Sequence, residues 1–167
     1  WWKVVSRQFD GTIPIPIGTV PEEDTLLNAH DWRNDPVECA WNQSLVREGL
    51  QANGHWEVEV AAPGRYRLEV RRWPREEDRA MAEGMPGDVT AYNDLARGYG
   101  GGRALGLVSA RLRVGERTLE APIPAGARSV AFELDLPAGE CQVQTYLYDA
   151  EGAEWGAYYV YARRTGG

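Results

Sequence analysis

From Gly54 onward, apolar and polar residues alternate with a period of two. Trp56, Val58 and Val60 alternate with Glu57 and Glu59. Tyr66, Leu68 and Val70 alternate with Arg65, Arg67, Glu69 and Arg71. The rhythm returns in Val108, Ala110, Leu112 and Val114, then in Leu119, Ala121 and Ile123, then in Val130, Phe132, Leu134 and Leu136, and finally in Cys141, Val143, Thr145 and Leu147. A period of two sends successive side chains to opposite faces, so each run predicts a strand with one apolar face. Short segments rich in Gly and Pro separate the runs: Ala62-Pro63-Gly64, Gly115-Glu116, Pro124-Ala125-Gly126 and Pro137-Ala138-Gly139. These are turn sequences, and the first of them predicts an antiparallel hairpin of 56–60 with 65–71.

Elsewhere the rhythm fails. Ile13-Pro14-Ile15-Pro16-Ile17 cannot be helical, because each proline drives its predecessor to extended geometry; it predicts an extended edge segment. Pro21 to Asp24 and Asn34-Asp35-Pro36 predict turns. Residues 75–103 interrupt the strands with a charged stretch, Arg75 to Glu83, and a second short helical stretch, Asp88 to Arg97, followed by Gly100-Gly101-Gly102. Many short strands without a βαβ rhythm predict an all-β fold, a jelly-roll type β-sandwich. It carries an irregular, extended N-terminal segment and a loop or short-helix insertion near residues 75–103. The chain predicts one domain over 1–167, with 1–53 as lead-in and 54–167 as sandwich core.

Composition narrows the partners. At 167 residues a single domain buries roughly 70% of its unfolded surface, so it needs no disulfide framework to hold a core. Cys39 and Cys141 are open to one bridge or to two small buried thiols. A net charge of −7 argues against a nucleic-acid partner and gives no support to an anionic membrane surface. No apolar run approaches a membrane span. The start at Trp1, without Met, suggests an excised piece of a longer protein.

The seven Trp and eight Tyr then change the picture, because many of them sit beside Asn, Gln, Asp, His or Arg. An aromatic face with amide and charged neighbours suits an uncharged ring such as a sugar. In Trp41-Asn42-Gln43 the indole stacks on a sugar while Asn42 and Gln43 bond its hydroxyls, or Trp41 plugs one end of the sandwich and the amides satisfy loop backbone. His30-Asp31-Trp32 is a sugar contact or a hydrogen-bonded loop anchor; no aligned nucleophile accompanies it. With two His in the chain, a zinc-type site is short of ligands. Arg72 and Trp73 lie in a run with six Arg against four acids between Arg65 and Arg79. This run fits bidentate contacts to sulfate or carboxylate, or internal Arg–Glu pairing. Gln142, Gln144, Tyr146 and Tyr148 share one face of their strand and predict a polar aromatic platform. Tyr158 to Tyr161 alternate too, one side in the core. The many acids leave a structural calcium site open, although no EF-hand-like spacing supports one, and no other cofactor is expected.

Two resemblances join these readings. Gly64-x-Tyr66-x-Leu68-x-Val70, Ala110 to Gly115, the Phe132 strand and Leu136-Pro137-Ala138-Gly139 resemble galactose-binding-like domains and carbohydrate-binding modules. His30-Asp31-Trp32, Trp41-Asn42-Gln43, Gly54-His55-Trp56, Arg71 to Glu76 and Gly156 to Tyr161 resemble, in that order, the β-rich C-terminal region of bacterial arylsulfatase-like enzymes. That second resemblance implies an upstream catalytic sulfatase domain as partner, with Trp1-Trp2 at the junction, and a periplasmic or extracellular location. The sulfatase nucleophile motif, Cys or Ser followed by x-Pro-x-Arg, is absent: Cys39 is followed by Ala40-Trp41-Asn42-Gln43. No catalytic residue is therefore expected. The expected function is a non-catalytic accessory domain binding a neutral or sparsely sulfated glycan. The alternative is a structural domain that caps the catalytic domain and shapes its cleft without affinity of its own.

Overall fold

In the computed structural model, which describes residues 11–22, 24–34, 39–87 and 100–166, two sheets pack face to face as a jelly-roll type β-sandwich. In chain order the strands are β1 (Ile15–Ile17), β2 (Asp24–Asn28), β3 (His55–Val60), β4 (Gly64–Arg71), β5 (Leu107–Val114), β6 (Arg117–Pro122), β7 (Val130–Leu136), β8 (Gly139–Asp149), β9 (Glu154–Trp155) and β10 (Tyr159–Gly166). The first sheet runs β1-β3-β8-β5-β6, with β9 paired to β8; the second runs β2-β10-β4-β7. All pairings are antiparallel except β1 with β3. Val58, Leu112, Val143 and Leu147 from one sheet meet Leu68, Val70, Leu134 and Val160 from the other, all buried.

The hairpin expected of 56–60 with 65–71 does not form. β3 pairs with β8 and β4 with β10 and β7, so the Ala61-to-Pro63 loop carries the chain between sheets. Two strands that each have one apolar face satisfy the same alternation side by side or facing one another across a core. By contrast β5 and β6 pair as a hairpin through the expected Gly115-Glu116 turn, with Gly115 at φ +56. The proline-spaced segment does lie at a sheet edge, where Pro16 in β1 needs no donor.

Three local elements were not legible as such. Asp24–Asn28 is a strand, β2, running straight out of the turn predicted at Pro21 to Asp24. Gln43–Glu48 is an α-helix, α1, with Asn42 as N-cap and Gly49 at φ +67 closing its C-terminus. The charged stretch from Arg75 to Glu83 supplies only a 3-10 turn, Arg75–Glu77. The second expected helical stretch, 88–97, lies outside the described residues.

The outer face of the second sheet holds a charged knot. Glu69 accepts from Arg71 at 2.7 Å and from Arg75 at 3.1 Å, and Arg75 also bonds Asp24 at 3.1 Å. Burial pushes the Glu69 carboxyl up, but the hydrogen bonds from Arg75 and Arg71 outweigh it and hold the group below its ordinary value. A carboxylate depressed in the folded state stabilises above its unfolded value, about pH 4.3, and loses that contribution as the pH falls through the folded one. Glu69→Gln is therefore expected to flatten the acid limb of a stability-versus-pH curve from urea melts. An unchanged limb would count against this.

Candidate functional site

Most of the aromatic clusters converge on the lead-in rather than on solvent. Trp32 lies 6.0 Å from Trp56 and 6.0 Å from Tyr158, ring centre to ring centre. Gly54 and Gly156 let the ring in: a Cβ on either would stand 2.6 Å from the Trp32 side chain. Irregular backbone exposes carbonyls that need donors once buried. Aromatic N–H and O–H groups supply them here, Trp56 to Asn28 O at 2.7 Å, Tyr158 to Leu50 O at 2.8 Å and Trp155 to Gly49 O at 3.2 Å. Asn28, Gly49 and Leu50 are thereby pinned to one end of the sandwich, and Trp32 itself is buried.

Arg72 and Trp73 are likewise enclosed rather than presented at the surface, being 0% and 1% exposed. The Arg72 guanidinium donates to the carbonyls of Met81, Glu83 and Arg103 and stacks 4.4 Å from the Trp73 ring centre. Trp73 Nε1 donates to Glu83 O at 3.0 Å. Burial lowers the Arg72 pKa to about 10, so it stays cationic at neutral pH. These bonds close the base of the 75–103 insertion, whose arms meet again through the Met85–Gly102 bridge.

The YYVY segment is covered on both faces. Tyr158 and Val160 face inward, while Tyr159 and Tyr161 face outward yet are each 8% exposed. Gln43 Nε2 donates to Tyr159 Oη at 2.9 Å, and the Arg75 guanidinium lies 4.0 Å from the Tyr161 ring centre.

Among the described residues, two surfaces keep accessible aromatic groups with polar neighbours. The first is a groove of about 390 Å³ beside β2, β10 and α1. Trp41 stands on it 66% exposed and Leu26 40% exposed. His30, Asn28, Asn42 and Gln43 complete its polar lining. Helix α1 sets this geometry: Asn42 Oδ1 accepts from Leu45 N at 3.0 Å, which fixes Asn42 as a cap and places Trp41 and Gln43 on either side of it. The backbone of His30 is held by Asn28 Oδ1 at 2.9 Å in the turn Ala29–Asp31. Asp31 turns to a neighbouring recess with Ile13, Ile15, Arg33 and Glu57, so it does not join Trp41.

The second surface is the outer face of the first sheet. The Tyr146 and Tyr148 rings are parallel to within 3° with centres 6.3 Å apart. Arg111, cross-strand from Tyr146, reaches over both at 5.8 and 5.2 Å and donates to Tyr148 Oη at 3.0 Å. Burial and the neighbouring Glu154 carboxylate raise the Tyr148 hydroxyl to about 12, so it remains a neutral hydrogen-bonding group at physiological pH. Alternation along one strand was the signal that found this face; nothing in the sequence marked Arg111.

Cys39 and Cys141 are both free thiols. Among the described residues, no three His, Cys, Asp or Glu side chains gather as a metal site. No described helix is long and apolar enough to cross a membrane.

No protein-family model matches the chain, and no curated protein does. Solved structures do. A ruminal GH26 endo-β-1,4-mannanase matches at 10% identity and a TM-score of 0.42, over 87% of this chain and 27% of that one. A family 35 carbohydrate-binding module from Clostridium thermocellum matches at 11% identity and a TM-score of 0.40, over 86% of this chain and 100% of the module. The CBM35 from Cellvibrio japonicus Abf62 matches at 16% identity and a TM-score of 0.36, over 70% and 72%. The chain thus spans about a quarter of the mannanase, and at these identities the functional reading rests on the residues described above.

Proposed function

We propose that this chain is a non-catalytic module that binds a neutral or sparsely charged saccharide in the Trp41 groove. The observation that carries the reading is a two-thirds-exposed indole held on a helix cap beside an amide, Gln43, and an imidazole, His30. A sugar ring offers an apolar C–H face to the indole and hydroxyls to the polar groups. The net charge of −7 disfavours a densely sulfated chain. The order of the Trp and Tyr clusters further supports a parent of the arylsulfatase type, with this domain as its accessory. Aryl-sulfate turnover by the full-length protein, and none by this chain, is the expected pattern.

The test is Trp41→Ala, assayed on glucan, mannan, xylan and galactan by affinity electrophoresis and calorimetry. Loss of the stacking surface is expected to cost about 2 kcal/mol, or roughly 30-fold in Kd. The exposed position should leave stability within about 0.5 kcal/mol of the parent. One observation favours a second reading: Leu26 and Trp41 together expose an apolar pair, as a domain contact would. If the parent chain binds no saccharide and Trp41→Ala changes self-association instead, that structural reading replaces this one.

A further inference from the structure

The Trp41 groove and the Tyr146–Tyr148 pair lie on opposite sides of the sandwich. Leu26 and Tyr159, at the groove, point outward from the second sheet, whereas Tyr146 and Tyr148 point outward from the first. Face-packed sheets stand about 10 Å apart, and a side-chain layer projects from each outer face. A short oligosaccharide therefore cannot touch both surfaces at once.

The outer face of the first sheet is built in rows across its central strand, β8. Gln144 sits between His55 on β3 and Arg113 on β5; Tyr146 sits beside Arg111, which faces Glu120 on β6. Both of its arginines are engaged within the face, while Glu59 and Glu140 stand opposite one another at its far end and Glu154 lies beside Tyr148. Arg111 pairs with Glu120 at 2.6 Å, His55 meets Glu57 at 3.0 Å, and Arg113 donates to Gln144 at 2.8 Å. The centre of the face offers a ligand two parallel phenol rings, and next to Tyr148 a recess with Val108, 45% exposed. The rings are already oriented by Arg111, so little side-chain freedom is lost when a ligand lands on them. Parallel aromatic rings on rigid strands, set among hydrogen-bonding side chains, complement a neutral polyhydroxyl chain.

We infer that this face is a second saccharide-binding surface, independent of the Trp41 groove, and that the module is bivalent, bridging two glycan chains or two stretches of one long chain. The inference rests on the saccharide-binding reading of the domain. Two tethered sites gain avidity by effective concentration, on the order of 100-fold for a polymer over a short oligomer.

The experiment uses the whole chain with neutral hexasaccharides and the matching polysaccharides. Calorimetry is expected to count two hexasaccharides per chain, falling to one in Trp41→Ala and to one in the Tyr146→Ala/Tyr148→Ala double variant. The tyrosine double variant should lose roughly 100-fold in polysaccharide affinity, and Trp41→Ala at least the roughly 30-fold of its lost stacking surface. Amide shifts in the unmutated chain should move in two separate groups, one around 107–113 and 142–148, the other around 26–30 and 41–46; this readout needs no variant to fold. Tyr146→Phe/Tyr148→Phe, which keeps both rings, should retain the second site. A stoichiometry of one, lost in Trp41→Ala and untouched in the tyrosine variant, overturns the second surface while leaving the first. Self-association of the chain through the tyrosine face, seen in sedimentation and abolished by the tyrosine variant, overturns it in favour of a second copy as occupant. Binding of no saccharide at all removes both readings together.

Discussion

Arg72→Ala should lower stability by about 3–5 kcal/mol, the range for emptying a large core position and stranding buried polar groups. The guanidinium is 0% exposed and donates to Met81, Glu83 and Arg103 carbonyls. Its removal leaves acceptors in the interior without a donor and opens a cavity beneath Trp73. A buried cation commonly needs a carboxylate; here backbone dipoles and an indole face take that place. Arg72→Lys should recover little, since a compact ammonium lacks the planar fork that spans three acceptors. Urea melts check both variants through the midpoint at constant slope. A cost under about 1 kcal/mol for Arg72→Ala would show that the insertion does not depend on this clamp.

Trp32→Ala should cost a similar amount, about 3–5 kcal/mol, because the site is shaped around the ring and cannot collapse into it. Gly54 and Gly156 have backbone against the Trp32 side chain, and the Trp56 and Tyr158 rings lie against it at tilts of 56° and 35°. The consequence reaches past stability. Ala29 N donates to Tyr158 O at 2.8 Å, and Arg33 pairs with His55, so loosening Trp32 releases the segment that carries His30 toward the groove. Saccharide affinity should fall along with the melting temperature. Affinity lost at unchanged stability would instead make Trp32 a direct ligand contact, contrary to its burial. The contrast with Trp41→Ala separates an aromatic that builds the site from one that touches the ligand.

The two outward aromatic faces diverge for a related reason. On β10, Tyr159 and Tyr161 are covered by Gln43 and Arg75, which come from segments far away in the chain. On β8, Tyr146 and Tyr148 are flanked by side chains of their own sheet and stay accessible. Their alternation patterns are alike. Only the path of the connecting segments distinguishes a covered tyrosine from an available one.

By itself the sequence determined the all-β class, the Gly115-Glu116 turn, the edge placement of the Ile-Pro repeat and the shared outward face of Gln142, Gln144, Tyr146 and Tyr148. Each depends on a period of two or on the backbone limits of Pro and Gly, and these act between near neighbours. Tertiary structure decided which sheet each strand joins, and so placed β3 and β4 across the core from one another. It also decided which tryptophans are buried. Trp32, Trp41 and Trp73 have comparably polar neighbours, yet Trp32 and Trp73 are enclosed by chain from Gly156 and Glu83 while Trp41 stands on a helix cap in solvent. Burial is a property of what the rest of the chain brings to a residue, and no local pattern carries it.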